Sequence, residues 1–270
     1  MHIKSFRKGF SLGFTTISSE KREALDFGIE FGILKLKSGK TLFERTMKES
    51  VYLHMQGNLK VSVDGRIYEN TRNSLFDEEP FAIHTASGKE LEISSEDEVE
   101  IAVYRLNNQK TFPTKASLSH SIGKEFLLEK ELRERSSRLF RSVFDESDAH
   151  PNAKLVVGEA LNMPGRWSYF PNSSYPSLKI YHYRFHDIGG SGYVEFNENV
   201  SKVYSCDTLR VVNQKNQAFC ASPGHIMYYN WAMLRLEDPF ALDSKSFLQD
   251  SMRVSEKDAS KEEHKEEVLV

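Results

Sequence analysis

The chain has 270 residues, 39% hydrophobic and 28% charged, with a formal net charge of -3. That length supports one large or two small domains with a sizeable core, and the mild acidity gives no electrostatic case for a nucleic-acid or anionic-membrane partner. Two cysteines, Cys206 and Cys220, are too few for a disulfide scaffold and lack metal-ligand spacing, so they read as small buried apolar side chains.

Residues 1–26 form a lead-in with basic residues but neither an uninterrupted apolar run nor a small-residue cleavage site. No stretch reaches the apolar length of a membrane span. The expectation is a cytoplasmic protein, in which the sequon Asn172-Ser173-Ser174 carries little weight.

Residues 27–111 fall into short runs rich in Val, Ile, Leu, Phe and Tyr. Ile29 to Leu36 is closed by Lys37-Ser38-Gly39-Lys40. Val51 to Met55 leads into a turn predicted at Gln56-Gly57-Asn58, then the alternating Leu59 to Val63 and the hairpin signal Asp64-Gly65. Ile83 to Ala86, Leu91 to Ile93 and Val99 to Tyr104 complete the set. Short strands at this spacing, with Gly-centred turns, argue an all-β barrel or sandwich rather than a βαβ fold. His54 and His84 lie in strand-like runs without partners at ligand spacing, so each reads as a core or cross-strand histidine.

Residues 112–153 are a connector. Its segment EFLLEKELRERSSRLF has the pattern of an amphipathic helix, and strict alternation does not fit it well. From 154 to 240 further strand-like runs follow. They include Lys179 to Phe185, Val200 to Tyr204, Thr208 to Val212 and the aromatic run Ile226 to Met233, with a plain β-turn at Gly189-Gly190-Ser191-Gly192. Period-two alternation puts Lys179, Tyr181 and Tyr183 on one strand face and Ile180, His182, Arg184 and His186 on the other. Residues 241–270 are mixed-charge and poor in apolar groups, a tail expected to be disordered or a frayed helix.

The order GEALN, Met163-Pro164-Gly165, Arg166-Trp167, a Pro/Ser/Asn loop, the Ile180-Tyr181-His182-Tyr183-Arg184-Phe185 strand and a Pro223-Gly224-x-x-x-Tyr228-Tyr229 segment carries a resemblance. It resembles the second cupin barrel of the 5-deoxy-glucuronate isomerase / 5-keto-4-deoxyuronate isomerase (IolB/KduI-like) family of sugar-acid isomerases. The series G-x-L-x-V-x-V-D-G-R, N-S-L-F and P-x-x-I-x-T-A-S-G is similar to that family's first barrel. The resemblance implies an all-β fold of two cupin (double-stranded β-helix/jelly-roll) barrels, and an extended connector between them in preference to the helix that its local pattern suggests. The N-terminal one would span 27–111 and be structural; the C-terminal one would span 154–240 and be the family's active-site barrel.

In the family a His-x-His pair, a Glu and a third His hold a divalent metal such as zinc. The resemblance places Ser173, Tyr175, Lys179 and Gln217 at those four positions. In the first barrel Ser50 stands at the general cupin Glu place, and no His-x-His precedes it. That barrel's interior is therefore expected to be apolar, Val61 included. No cofactor is expected. An improvised metal pair of His182 and His186 is disfavoured, because both belong to the outward strand face.

An aldose–ketose isomerase moves a proton between adjacent carbons while neighbouring oxygens change charge, and a metal ion can hold both oxygens. Neutral hydroxyls and an amide are poor substitutes for imidazole and carboxylate, and an ammonium repels a cation. Three readings of function stay open. One is a degenerate isomerase homologue of the inositol and uronate catabolism lineage, which could assemble with itself or an active relative. The second is a metal-free binding module holding a small sugar acid in a pocket of Lys179, Tyr181, Tyr183 and Gln217, although the residues alone favour a Lys179 that extends along the barrel wall to solvent and tyrosines that are core. The third is an active isomerase with a non-standard site. A homo-oligomer, dimer or larger, is expected because strand edges left bare invite uncontrolled pairing.

Overall fold

A computed structural model describes residues 1–19, 28–117, 123–128, 137–144, 150–170, 178–187, 189–196, 199–212 and 217–235. Every regular element among them is a strand, as the alternation predicts. No helix of the described residues is long and apolar enough to cross a membrane.

After the short β1 (His2–Ile3), the first half contains β2 (Gly13–Ser18), β3 (Ile29–Leu36), β4 (Thr41–Arg45), β5 (Glu49–Val63), β6 (Arg66–Arg72), β7 (Ala82–Thr85), β8 (Glu90–Ser94), β9 (Val99–Leu106) and β10 (Lys115–Ser117). The turn predicted at Gln56-Gly57-Asn58 is absent. Instead β5 runs through it as one strand of 15 residues, with a register shift between His54 and Gln56. Gly57 adopts φ 96°, and a Cβ there would collide with the Glu98 carbonyl oxygen, so this bulge requires glycine. The bend lets the first part of β5 pair with β7 and β9, and its second part with β6 and β8. At its end Asp64 and Gly65 take φ 50° and 71°, the left-handed pair that a tight hairpin demands.

The second half contains β11 (Gly123–Leu128), β12 (Ser137–Phe144), β13 (Leu155–Asn162), β14 (Trp167–Phe170), β15 (Lys179–Phe185), β16 (Ser191–Phe196), β17 (Asn199–Tyr204), β18 (Thr208–Val211), β19 (Gln217–Ala221) and β20 (Met227–Leu234). A seven-stranded sheet in the order β1-β18-β15-β20-β13-β12-β11 faces a four-stranded sheet in the order β14-β19-β16-β17. The described parts of the connector are extended. Strands β11 and β12 pair antiparallel, β12 joins β13, and β10 pairs with β7. Residues 129–136, the middle of the helix-patterned segment, lie outside the described residues, as does the tail.

Alternation on these strands sorts most of the apolar side chains into three large cores, beside a small cluster of Ala86, Phe112 and Ala153. Leu34, Tyr52, Val61, Ile83, Ile93, Ile101 and their neighbours fill the interior of the first half. Tyr181, Tyr183, Val194, Phe219, Tyr229 and Trp231 belong to the interior of the second. Between the halves the two large sheets pack face to face through Phe31, Val51, Leu53, Tyr104, Val157, Ile180, Tyr228 and Ala232.

That middle layer also buries charge. Glu159 on β13 accepts hydrogen bonds from Arg72 at 2.7 Å, Arg141 at 2.8 Å and the Tyr228 hydroxyl at 2.8 Å. Arg72 belongs to the first half and Arg141 to the second, so one carboxylate ties the halves together. A second tie is Glu49, which accepts from His84 Nε2 at 2.8 Å, Asn108 at 2.7 Å and the Leu155 amide at 2.8 Å. The N-terminal segment is a third. Strand β1 extends the second half's sheet beside β18, and Arg7 clamps the buried Asp207 with two bonds of 2.6 Å.

Candidate functional site

The interior of the second half is where the resemblance places chemistry. Strand β15 carries three of the candidate residues there because residues two apart share a face. Lys179 opposes Val211 on β18 and Met233 on β20 and is only 5% exposed, so its amine does not reach along the wall into solvent. Burial pulls its ammonium down from the ordinary 10.5 to about 8. At neutral pH it is still mostly protonated.

Tyr181 donates from its hydroxyl to Gln217 Oε1 at 2.6 Å, joining β15 to β19. Burial, reinforced by Tyr229, raises the Tyr181 phenol far above its usual range, so it acts as a neutral donor. Tyr183 lies one step further along the face, fully buried against the Tyr229 ring at 5.9 Å between centroids. It belongs to the apolar packing, whereas Lys179, Tyr181 and Gln217 form the polar end. Ser173 and Tyr175 lie outside the described residues.

One contributor was not singled out from the sequence. Arg138 on β12 is 2% exposed, with Nη1 3.5 Å from the Tyr229 hydroxyl and its guanidinium 5.2 Å from the Phe140 ring centroid. Its spacing from Arg141, three residues, puts the two arginines on opposite faces of an extended strand. That parity was the available signal. Arg138 enters the second half's interior while Arg141 enters the layer between the halves.

The opposite face of β15 is closed to solvent by the first half. His182 is fully buried there, its Nδ1 2.8 Å from Thr208 Oγ1 and its Nε2 accepting from Arg184 Nη1 at 2.6 Å. A guanidinium only donates, so the hydrogen sits on Nδ1. Burial and then Arg184 push this imidazole well below its ordinary range, fixing it neutral. Arg184 continues to Glu100 and to Cys206 Sγ. His186 is at the surface, 3.1 Å from Asp187. The two histidines therefore do not converge.

In the first half, Val61 is fully buried in the apolar interior, and the buried Ser50 hydroxyl donates to the Lys48 carbonyl oxygen at 3.0 Å. His54 bonds Asn70 at 2.7 Å, and burial followed by Arg72 lowers its imidazole to about 4. An open groove of about 800 Å³ runs over the outer surface of this half, lined by Phe43, Arg45, Asp64, Lys89 and Glu92. It holds a Lys89–Asp64 ion pair and lies apart from the buried polar end of the second half.

The two described residues that the resemblance assigns to ligand positions, Lys179 and Gln217, do not suit a divalent metal. Lys179 presents an ammonium, and the Gln217 amide oxygen already accepts a phenol. At an effective dielectric of about 20, like charges about 4 Å apart cost on the order of 4 kcal/mol per unit charge product. Among the described residues no group of three or more His, Cys, Asp or Glu side chains could hold a metal ion.

A family profile described as the KduI/IolB family matches residues 7–242. The chain is similar in structure to an IolB-like protein from Salmonella typhimurium LT2, with 16% identity and a TM-score of 0.71 over 87% of this chain and 93% of that one. It is similar to a putative glyoxylate induced protein from Pseudomonas aeruginosa, with 12% identity and a TM-score of 0.63 over 82% and 79%. A cupin 2 conserved barrel domain protein from Leptotrichia buccalis gives 10% identity and a TM-score of 0.51 over 85% and 93%. At these identities the structural likeness shows a cupin-type fold. No curated protein matches the chain.

Proposed function

The chain belongs to the KduI/IolB family, a sugar isomerase-like family, and from that premise we propose that it recognises a small sugar acid in the interior of its second half without metal-dependent isomerase chemistry. The observation that carries this reading is Lys179, a buried primary amine on the inner face of β15 beside the Tyr181–Gln217 hydrogen bond. An ammonium pairs with a carboxylate by charge-assisted hydrogen bonds. The amide and phenol match sugar hydroxyls, which both donate and accept. The same ammonium stands where a divalent cation would be held, so the group that favours an acid substrate disfavours the metal.

Two measurements test this. Elemental analysis of protein purified without chelator is expected to find well under one metal per subunit. Calorimetry with glucuronate as the probe is expected to show binding that Lys179→Met abolishes. Restoring a metal site takes the whole set Ser173→His, Tyr175→His, Lys179→Glu and Gln217→His, because a partial set leaves too few ligands or an unpaired buried charge. Zinc or manganese then raises the melting temperature of that variant but not of the unmodified chain. Stoichiometric metal in the unmodified chain, lost on changing His182 and His186, refutes the reading, as does turnover of 5-deoxy-glucuronate.

A further inference from the structure

The register of β15 against β20 sets the order of the inward side chains in the second half. Lys179 opposes Met233, Tyr181 opposes Trp231 and Tyr183 opposes Tyr229. These are three successive rows about 7 Å apart, since side chains two residues apart share a face. Lys179 stands at one end of the series. Arg138 reaches the other end from β12, its Nη1 3.5 Å from the Tyr229 hydroxyl. Its charge is also felt in the middle row, where burial and Tyr229 raise the Tyr181 phenol and Arg138 opposes them. The Tyr181–Gln217 hydrogen bond therefore has a buried primary amine on one side and a buried guanidinium on the other.

Two more donors border the same rows. Tyr183, whose ring belongs to the apolar packing, has a hydroxyl with no hydrogen-bond partner among the described residues, and so has the Trp231 Nε1. A buried donor left unmet costs free energy, so each marks a place where a ligand acceptor is favoured. One stack fixes the set: the Arg138 guanidinium lies 5.2 Å from the Phe140 centroid, and Phe140 stacks on Trp231 at 5.5 Å. Gly158 makes room for the indole, because a Cβ there would meet the Trp231 ring at 2.5 Å. Ammonium, guanidinium and indole N–H only donate. Carboxylate and phosphate oxygens satisfy such groups more fully than sugar hydroxyls, which also need acceptors.

From this arrangement, and resting on the reading of this interior as a sugar-acid site, we infer that the ligand is a dianion, a sugar acid with a second carboxylate or phosphate at its far end. Lys179 takes one anionic group and Arg138 the other, with Trp231 Nε1 and the Tyr183 hydroxyl donating to oxygens between them. Arg138 then sets specificity, because a monoanion engages Lys179 alone. Its planar fork matches two oxygens of one carboxylate or phosphate, which a point charge does not.

The test is calorimetry on the intact chain with glucuronate, glucarate and glucuronate 1-phosphate at matched ionic strength. At least one dianion is expected to bind about tenfold or more tighter than glucuronate, and the two dianions tell carboxylate from phosphate. In Arg138→Met the ratio between the preferred dianion and glucuronate is expected to fall to about one, whereas Arg138→Lys, which keeps the charge, retains part of the preference. Glucuronate binding that depends on Lys179, with neither dianion bound more tightly, overturns this inference and leaves the sugar-acid reading standing. Failure of all three ligands to bind removes both. Loss of affinity in Arg138→Met that leaves the ratio intact shows a structural arginine and overturns the inference as well.

Discussion

Replacing Lys179 with methionine keeps most of the side chain's volume and removes its charge. The fall of the Lys179 ammonium from 10.5 to about 8 on folding corresponds to about 3 kcal/mol of differential stability. The sign follows from proton counting. Below about pH 8 the amine is protonated in both folded and unfolded chains, so the folded state carries the full penalty. Between about 8 and 10.5 the unfolded chain holds the proton and the folded chain does not, so wild-type stability rises with pH by about 1.4 kcal/mol per unit. Above that range the penalty is gone. Lys179→Met is therefore expected to be more stable than wild type at pH 7 by up to about 3 kcal/mol, or about 5–10 °C in melting temperature for a chain of this size. The advantage shrinks to nothing by about pH 10.5. Urea titrations of both proteins at pH 7, 8, 9 and 10 measure it. A variant less stable than wild type at pH 7, or a stability difference independent of pH, refutes the claim that this amine is held desolvated at a cost.

The other predictions concern the frame around that interior. Glu159→Gln leaves Arg72 and Arg141 buried without their shared carboxylate and is expected to lower stability by about 3–5 kcal/mol, read as a urea midpoint; an unchanged midpoint counts against the tie between the halves. For Glu49, burial acts upward, but His84, Asn108 and the Leu155 amide outweigh it and hold the carboxyl below its usual range. Its contribution is therefore complete above the ordinary 4.5 and is lost as pH falls through its lower folded value, so Glu49→Gln is expected to flatten the acid limb of the stability profile. Gly57→Ala is expected to cost more than about 1 kcal/mol by thermal melting, since φ 96° and the Glu98 carbonyl oxygen both oppose a side chain there.

Much of the fold was legible because strand alternation writes burial directly into sequence. The predicted runs Ile29 to Leu36 and Lys179 to Phe185 coincide with β3 and β15 to the residue. The predicted turn at Gln56-Gly57-Asn58 failed because glycine marks a bulge as readily as a turn. Only pairing partners distant in sequence, such as Glu100 opposite Gln56, decide between them. The candidate site was legible on β15, where parity placed Lys179, Tyr181 and Tyr183 on one face. The bond between Tyr181 and Gln217 was not legible, for it depends on how two sheets face each other across 36 residues of chain. The burial of Lys179 was also hidden, because a lysine's sequence neighbours do not say whether its stem ends in water or under a loop.

The two halves repeat one strand order and differ in what fills them, and that difference bears on where activity can reside. The interior of the first half is packed mainly with aliphatic side chains, among them Leu34, Val61, Ile83, Ile93 and Ile101, which contribute burial energy and offer a ligand no hydrogen bond, while its buried Glu49 and Arg72 serve the ties between the halves. The second half accepts a buried amine, a guanidinium, an amide and phenols among its aromatic rings, each of which costs desolvation that an aliphatic side chain would avoid. Natural proteins retain such groups where function requires them. On the proposed function the first half is mechanical support. Through Glu49, Arg72 and the face-to-face apolar layer it holds β13, β15 and β20 from behind. That backing fixes the inner faces of those strands, and Lys179 with them, as the proposed recognition of a sugar acid requires.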